Sequence, residues 1–239
     1  MLGSAPLLFR FDGASPYRHG PGASLELLAL LQPQALAVTL PVGALFAGLL
    51  AYRRGGRHPG VAVARPVLAM SLAAGLLALV MMLWAVPVAN QAFRERAFRR
   101  PFSAALALPP KGAAEMTLAE LLDARHRSAG DPRAQATYDF FRHQKAALPA
   151  AALVFALLAI SLGRERVTRW PVLRAALLTT LLTAAYYLLF WGARELALGE
   201  AIPPWAGAWA SNMVFALAAC LAASWRLGRL TTEPPPRNR

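Results

Sequence analysis

The chain has 239 residues, of which 57% are hydrophobic and 15% charged, with a formal net charge of +13. That balance excludes an ordinary soluble domain. The basic residues gather at the ends of apolar blocks and no nucleic-acid-binding motif accompanies them, so the charge points to membrane interfaces and not to nucleic acid.

Residues 1–26 read as an N-terminal loop or the remnant of a first helix. Leu2 to Phe9 is apolar but short, and Arg10 and Asp12 end it. No basic residue precedes it and no long apolar core follows, so it makes a poor signal peptide. A bilayer core of roughly 30 Å takes about 20 apolar residues per helix. Spans of that kind are expected at about 27–52, 66–89, 146–162, 170–193 and 204–225. Pro41 lies inside the first span, where a kink is tolerable in a bundle. Trp84 suits an interface near the end of the second.

Between the second and third spans runs a polar stretch, 90–145, with no strand-like alternation. Thr117-Leu118-Ala119-Glu120 is a capping-box pattern. Leu118, Leu121 and Leu122 are expected to share the apolar face of the helix it opens. Gly130-Asp131-Pro132 stops that helix and starts another, with Asp131 as N-cap and Pro132 in the first turn. This second helix carries Tyr138 and Phe141 on one side and is expected to run through Arg142 and Lys145 into the third span. In the last span the Ala218/Ala222 and Ala219/Ala223 pairs are small residues four apart, which let helices approach closely. Residues 228–239, with Pro234-Pro235-Pro236, read as a disordered tail.

The fold class is therefore all-α: a polytopic membrane protein of about five transmembrane helices in a 2+3 arrangement. The expected organisation is a helix pair at 27–89, a short helical extramembrane connection at 90–145 and a three-helix bundle at 146–227. Loops 52–66 and 163–174 and the tail from 225 hold 12 Lys/Arg against 2 Asp/Glu. The segments on the opposite side hold 13 against 10. The one-sided set is expected to be cytoplasmic, which puts 90–145 and the N-terminus outside.

Catalytic chemistry is not written in the chain. No Gly-x-x-x-x-Gly-Lys phosphate loop occurs, so the chain itself is not expected to hydrolyse ATP. The four histidines form no metal-spaced pair, no Ser has a Gly-x-Ser-x-Gly setting, and Cys220 is the one cysteine. No metal, cofactor or catalytic residue is expected. Thr179, Thr180 and Thr183 form a polar stripe expected to hydrogen-bond between helices. The outward basic residues stand out. Arg94 and Arg96 follow the second span, and Arg142 and Lys145 precede the third. If those spans pack together, the four ring one mouth and could hold lipid phosphates; the alternative is a solvated, interface-anchoring charge cluster.

Leu40-Pro41-Val42, Val86-Pro87-Val88-Ala89-Asn90, Thr117 to Leu122, Arg142 to Pro149, Ala159 to Gly163, Tyr186-Tyr187, Gly199 to Pro204 and Trp209-Ala210-Ser211-Asn212 occur in an order that resembles the LptF/LptG permease family. These are membrane subunits of lipopolysaccharide export systems. The resemblance covers about 27–95 and 115–228. It implies pairing with a second permease subunit, a cytoplasmic ABC ATPase dimer and a periplasmic bridge protein, in the bacterial inner membrane. It also implies six helices and a periplasmic jellyroll. The chain departs from this pattern. The first helix is expected to be missing or reduced to Leu2–Phe9, and 90–145 is too short for a jellyroll of about 8 strands. The loop 52–65, expected to face the ATPase through Arg53, Arg54 and Arg57, holds no Asp or Glu. The expected function is a permease-like subunit on a lipopolysaccharide or glycolipid path; the alternative is a degenerate, non-transporting membrane scaffold or interaction subunit.

Overall fold

The computed structural model describes residues 21–54, 60–98, 111–163 and 171–232. Every element among them is helical. Helix α1 (Pro21–Arg54) is followed by α2 (Gly60–Val80), which passes through a π-helical turn, Met81–Ala85, into α3 (Val86–Phe98). A 3-10 turn at Ala113–Glu115 precedes α4 (Leu118–Arg127). Then come α5 (Pro132–Leu162), α6 (Pro171–Leu198) and α7 (Pro204–Thr232). Five stretches are long and apolar enough to cross a membrane: Leu28–Ala51, Ala62–Glu95, Pro132–Leu162, Val172–Leu198 and Pro204–Trp225. The protein is an all-α, multi-pass membrane protein.

Two of these helices outrun their apolar cores. The second span continues past Asn90 to the end of α3, because the onset of polar residues changes the side chains without breaking the backbone ladder. Pro87 lacks the N–H an α-helix needs. The π turn lies just before it, and the Val86 N–H bonds the Met81 carbonyl five residues back. Helix α5 likewise starts 14 residues before Ala146, as the Asp131-Pro132 start signal requires: Asp131 Oδ1 accepts from the N–H groups of Arg133 (3.0 Å) and Ala134 (3.2 Å).

Helix α5 is the hub. In its most apolar stretch 67% of residues are buried, against 17–28% in the other four spans. It packs on α1, α2, α4, α6 and α7. Lipid tails are as apolar as leucine, so hydrophobicity alone does not pull such helices together; close van der Waals approach does. The sequence supplies it with Ala147, Ala151, Ala152, Ala156 and Ala159, all buried. Two glycines answer them. A Cβ on Gly48 of α1 would lie 2.7 Å from the Ala159 Cβ, and one on Gly75 of α2 would lie 3.2 Å from the Pro149 carbonyl oxygen.

The α5–α6–α7 core adds aromatic packing and neutral hydrogen bonds. Tyr186 is fully buried, with Phe155 and Phe215 edge-on at 5.1 and 5.5 Å. Its hydroxyl donates to Asn212 Oδ1 at 2.9 Å, and Asn212 Nδ2 donates to the Ala147 carbonyl at 2.7 Å. Ser211 Oγ donates to the Tyr186 carbonyl, and Ser161 Oγ to the Ala219 carbonyl. The α7 face against its neighbours thus runs Ala208, Ser211, Asn212, Phe215, Ala219. Of the two alanine pairs expected to mediate close packing, Ala219 does so, while Ala218 and Ala223 are exposed. Nor do the threonines form the expected interhelical bonds: Thr179 Oγ1 and Thr183 Oγ1 are buried with no hydrogen-bond partner.

Helix α6 ends in a Schellman-type turn. The Glu200 N–H bonds the Ala197 carbonyl and the Ala201 N–H bonds the Leu196 carbonyl. Glu200 holds φ 62°, a left-handed conformation that glycine adopts with less strain. The tight return lets α7 lie on α6 at Gly207, where a Cβ would run into the Ala197 Cβ and lie 2.9 Å from the Ala193 carbonyl oxygen.

Candidate functional site

The charged side chains converge where α3, α4 and the first turns of α5 meet. Thr117 caps α4 as its spacing predicts: Thr117 Oγ1 accepts from the Glu120 N–H (3.2 Å), and Glu120 Oε2 accepts from the Thr117 N–H (2.8 Å). Glu120 also accepts from Lys111 Nζ at 2.6 Å. The Lys111 hydrogen bond, followed by that from the Thr117 backbone, holds the Glu120 carboxyl below its ordinary pKa of 4.5. Helix α4 buries Leu121 and Ala124 against α5, whereas Leu118 and Leu122 stay largely exposed. The expected three-leucine face is therefore a Leu121–Ala124 face. On α5, Phe140 is the fully buried anchor between Tyr138 and Phe141; Tyr138 is only half-buried.

Of the four residues expected to hold phosphate, Arg94, Arg142 and Lys145 have described side chains in or beside this cap. Arg94 lies on α3 and is 6% exposed; its Nη1 donates to Glu115 Oε2 at 2.8 Å. Arg142 is half-exposed, with Nη2 3.4 Å from Asp139 Oδ1 and 3.4 Å from His143 Nε2. Asp139 also accepts from Arg125 Nε at 2.8 Å, which ties α4 to α5. Lys145 is 5% exposed and makes no hydrogen bond or ion pair among the described residues; Glu120 attracts it across the α4–α5 contact. Arg96 sits on α3, but its side chain lies outside the described residues. The expected ring is thus interleaved with carboxylates: Arg94, Lys111, Arg125, Arg142 and Lys145 share Glu115, Glu120 and Asp139. Cations outnumber carboxylates, and Lys145 is the one that has none of its own.

A second charged group lies at the same end, between α5 and α6. The Arg194 guanidinium stands 4.9 Å from the Trp191 ring centre and 5.9 Å from that of Phe141, and it bonds Glu195 at 2.6 Å. Arg133 pairs with Glu200 at 3.4 Å. Sequence reading passed over Arg194, although an arginine three residues after an interfacial tryptophan is a recognisable cation–π spacing. It also gave Tyr186, Ser211 and Asn212 no role. An asparagine within an apolar span was the available signal.

At the opposite ends of the helices, Arg53 and Arg54 close α1 with side chains outside the described set, and Arg57 lies outside the described residues altogether. Among the described residues no group of histidine, cysteine and carboxylate side chains is arranged to hold a metal ion.

The cluster sets basic groups at the end of an apolar bundle, graded from the ion-paired Arg94 to Lys145, which has no direct partner among the described residues. No curated protein matches the chain. A family model, Lipopolysaccharide export system permease LptF/LptG, matches residues 97–228, which takes in α4, α5, α6 and nearly all of α7. That match covers more than half of the sequence and the whole α5–α7 core, and the protein belongs to the LptF/LptG family of lipopolysaccharide export permeases.

Proposed function

We infer that the protein is a transmembrane subunit of an ABC-type export system for lipopolysaccharide or a related glycolipid, resident in the bacterial inner membrane. The family match across 97–228 carries this reading. The subunit forms part of the lipid path and leaves ATP hydrolysis to a cytoplasmic ATPase dimer, in keeping with the absence of a phosphate-loop motif from its sequence. Its other partners are a second permease subunit and a periplasmic bridge protein. Arg96, Arg142 and Lys145 meet lipid phosphate at the outer mouth. Arg94 belongs to the same cluster and, through Glu115, also fixes the connection to α3. Arg53, Arg54 and Arg57 face the ATPase.

A second reading, a non-transporting scaffold subunit, is favoured by one observation: Arg94 and Arg142 already have carboxylate partners in Glu115 and Asp139. Charge neutralisation separates the two. In cells that depend on the protein, replacing Arg96 and Arg142 with Gln and Lys145 with Met is expected to lower lipopolysaccharide export by more than about a hundredfold, since each charge-assisted phosphate contact contributes about 1.5–3 kcal/mol and three are removed. Arg94→Gln is read against Glu115→Gln, which disturbs the same ion pair without removing the cation. Unchanged export in the triple variant, with normal protein levels, supports the scaffold.

A further inference from the structure

An open groove of about 160 Å³ runs between α2 and α5 on the outside of the bundle. Leu72, Leu76 and Leu79 form one wall, and Ala146, Pro149 and Leu153 the other. Gly75 and Ala150, both small, complete the lining. All of these side chains are apolar. Leu72, Leu76, Ala146 and Leu153 are exposed, which leaves the groove open to its surroundings along its length.

The register of α5 places cations at one end of this groove. Positions four and eight apart share a helix face. Arg142, Ala146 and Ala150 form one such stripe, and Lys145, Pro149 and Leu153 the next. Each groove-lining stripe therefore has a cation one turn nearer the α4 cap. From Ala146 to Leu153 the groove spans about 10 Å of helix axis. The apolar run of α5 begins at Ala146, so Arg142 and Lys145 stand at headgroup level and the groove at acyl-chain depth. Lys145 is 95% withdrawn from solvent by its 5% exposure and has no hydrogen-bonding or ion-pairing partner among the described residues. Glu120 attracts this ammonium from across the α4–α5 contact without bonding it, and an anion supplied from outside gives it the direct partner it lacks.

We propose that the α2–α5 groove is a binding site for one anionic lipid, its phosphate at Lys145 and Arg142 and an acyl chain lying along Gly75, Ala146 and Ala150. The proposal rests on the reading of the cap as a phosphate-recognising cluster, and adds that the ligand is held by its chain on the outside of the helix pair. Recognition is by shared chemistry: a phosphate monoester or diester on a hydrocarbon chain.

The test is lipid retention by the purified full-length protein, measured by native mass spectrometry after equilibration with vesicles of mixed phosphatidylglycerol and phosphatidylcholine. The wild type is expected to retain phosphatidylglycerol preferentially. Lys145→Met is expected to cut that retention about tenfold, the loss of one charge-assisted contact, and Arg142→Gln about threefold, because Arg142 is half-exposed and shared with Asp139. Ala146→Phe fills the groove from an exposed position and is expected to abolish retention while leaving the melting temperature near wild type. Glycerol 3-phosphate, which carries the headgroup without the chain, is expected not to compete. Equal retention of both lipids by the wild type, full retention by Lys145→Met or Ala146→Phe, or displacement by glycerol 3-phosphate overturns the proposal; the last outcome would make this a plain phosphate site. Should Lys145→Met fail to fold, Arg142→Gln and Ala146→Phe still decide. Retention is read without export, so a failure of the export reading with retention intact leaves the lipid site standing, and the converse removes the lipid site alone.

Discussion

The two halves of α5 are held by different forces. Its inner half sits in the α5–α6–α7 core, joined by neutral bonds: Tyr186 to Asn212, Asn212 to the Ala147 carbonyl, Ser161 to the Ala219 carbonyl. Its outer half sits under α4, joined by ions: Arg125 and Arg142 on Asp139, with Arg94–Glu115 and Lys111–Glu120 alongside. The division follows depth. In hydrocarbon an ion is expensive and a hydroxyl or amide is affordable once paired. At the headgroup level, water and counter-ions lower the cost of charge, and electrostatics becomes available for recognition. The core fixes the bundle; the cap carries the charges that the proposed ligand would meet.

Steric change in the core is expected to have the largest effect. Gly207→Leu forces a side chain into Ala197 and the Ala193 backbone, and should cost about 3 kcal/mol in reversible unfolding in micelles, unaltered by salt. In the cap, Glu115→Gln removes the carboxylate facing a buried arginine and should cost about 2 kcal/mol. By contrast Asp123→Asn, which breaks the exposed Asp123–Arg127 pair, should cost less than about 0.5 kcal/mol. A cap in which both changes weigh the same would erase the distinction between buried and exposed pairs.

Back in the core, Asn212→Ala removes two interhelical bonds and should cost about 1–2 kcal/mol, again without salt dependence. The smallest effect is that of acid. Because Lys111 and the Thr117 N–H depress the Glu120 pKa below 4.5, the stabilisation is complete above about that pH and is lost as pH falls through the lower folded value. Hydrogen exchange of the α4 amides should therefore quicken only below pH 4.5, and Glu120→Gln should remove that step, with the core amides unaffected. Acid loosening of core and cap together would contradict the division.

How much of this was legible follows from the range of each signal. The capping box at Thr117–Glu120 and the Asp131-Pro132 start are local, three or fewer residues across, and both form as read. The five spans are compositional and also stand, with α3 and the start of α5 adding helical turns beyond the apolar cores. Facing was harder to read. A membrane helix apolar all round has no periodic mark of its buried side, so both alanine pairs of α7 were expected at a contact where only Ala219 is buried, and Tyr138 was expected beside Phe141 where Phe140 is the buried ring. Ion pairing was not legible at all. Arg94 and Glu115 are 21 residues apart and Arg125 and Asp139 are 14 apart, distances that only the packing of α3, α4 and α5 closes. The basic ring was therefore read without the carboxylates that interleave it, and Lys145 was not distinguishable from its neighbours.

The central claim, that this chain works as a permease-like subunit, is tested most directly by affinity purification of the tagged full-length protein from its own membranes under mild detergent. The account predicts that an ABC-type ATPase and a second permease subunit co-purify in fixed ratio, and that Arg53→Glu with Arg54→Glu releases the ATPase while the permease partner stays. Recovery of the protein alone from membranes that contain an intact export system would contradict it.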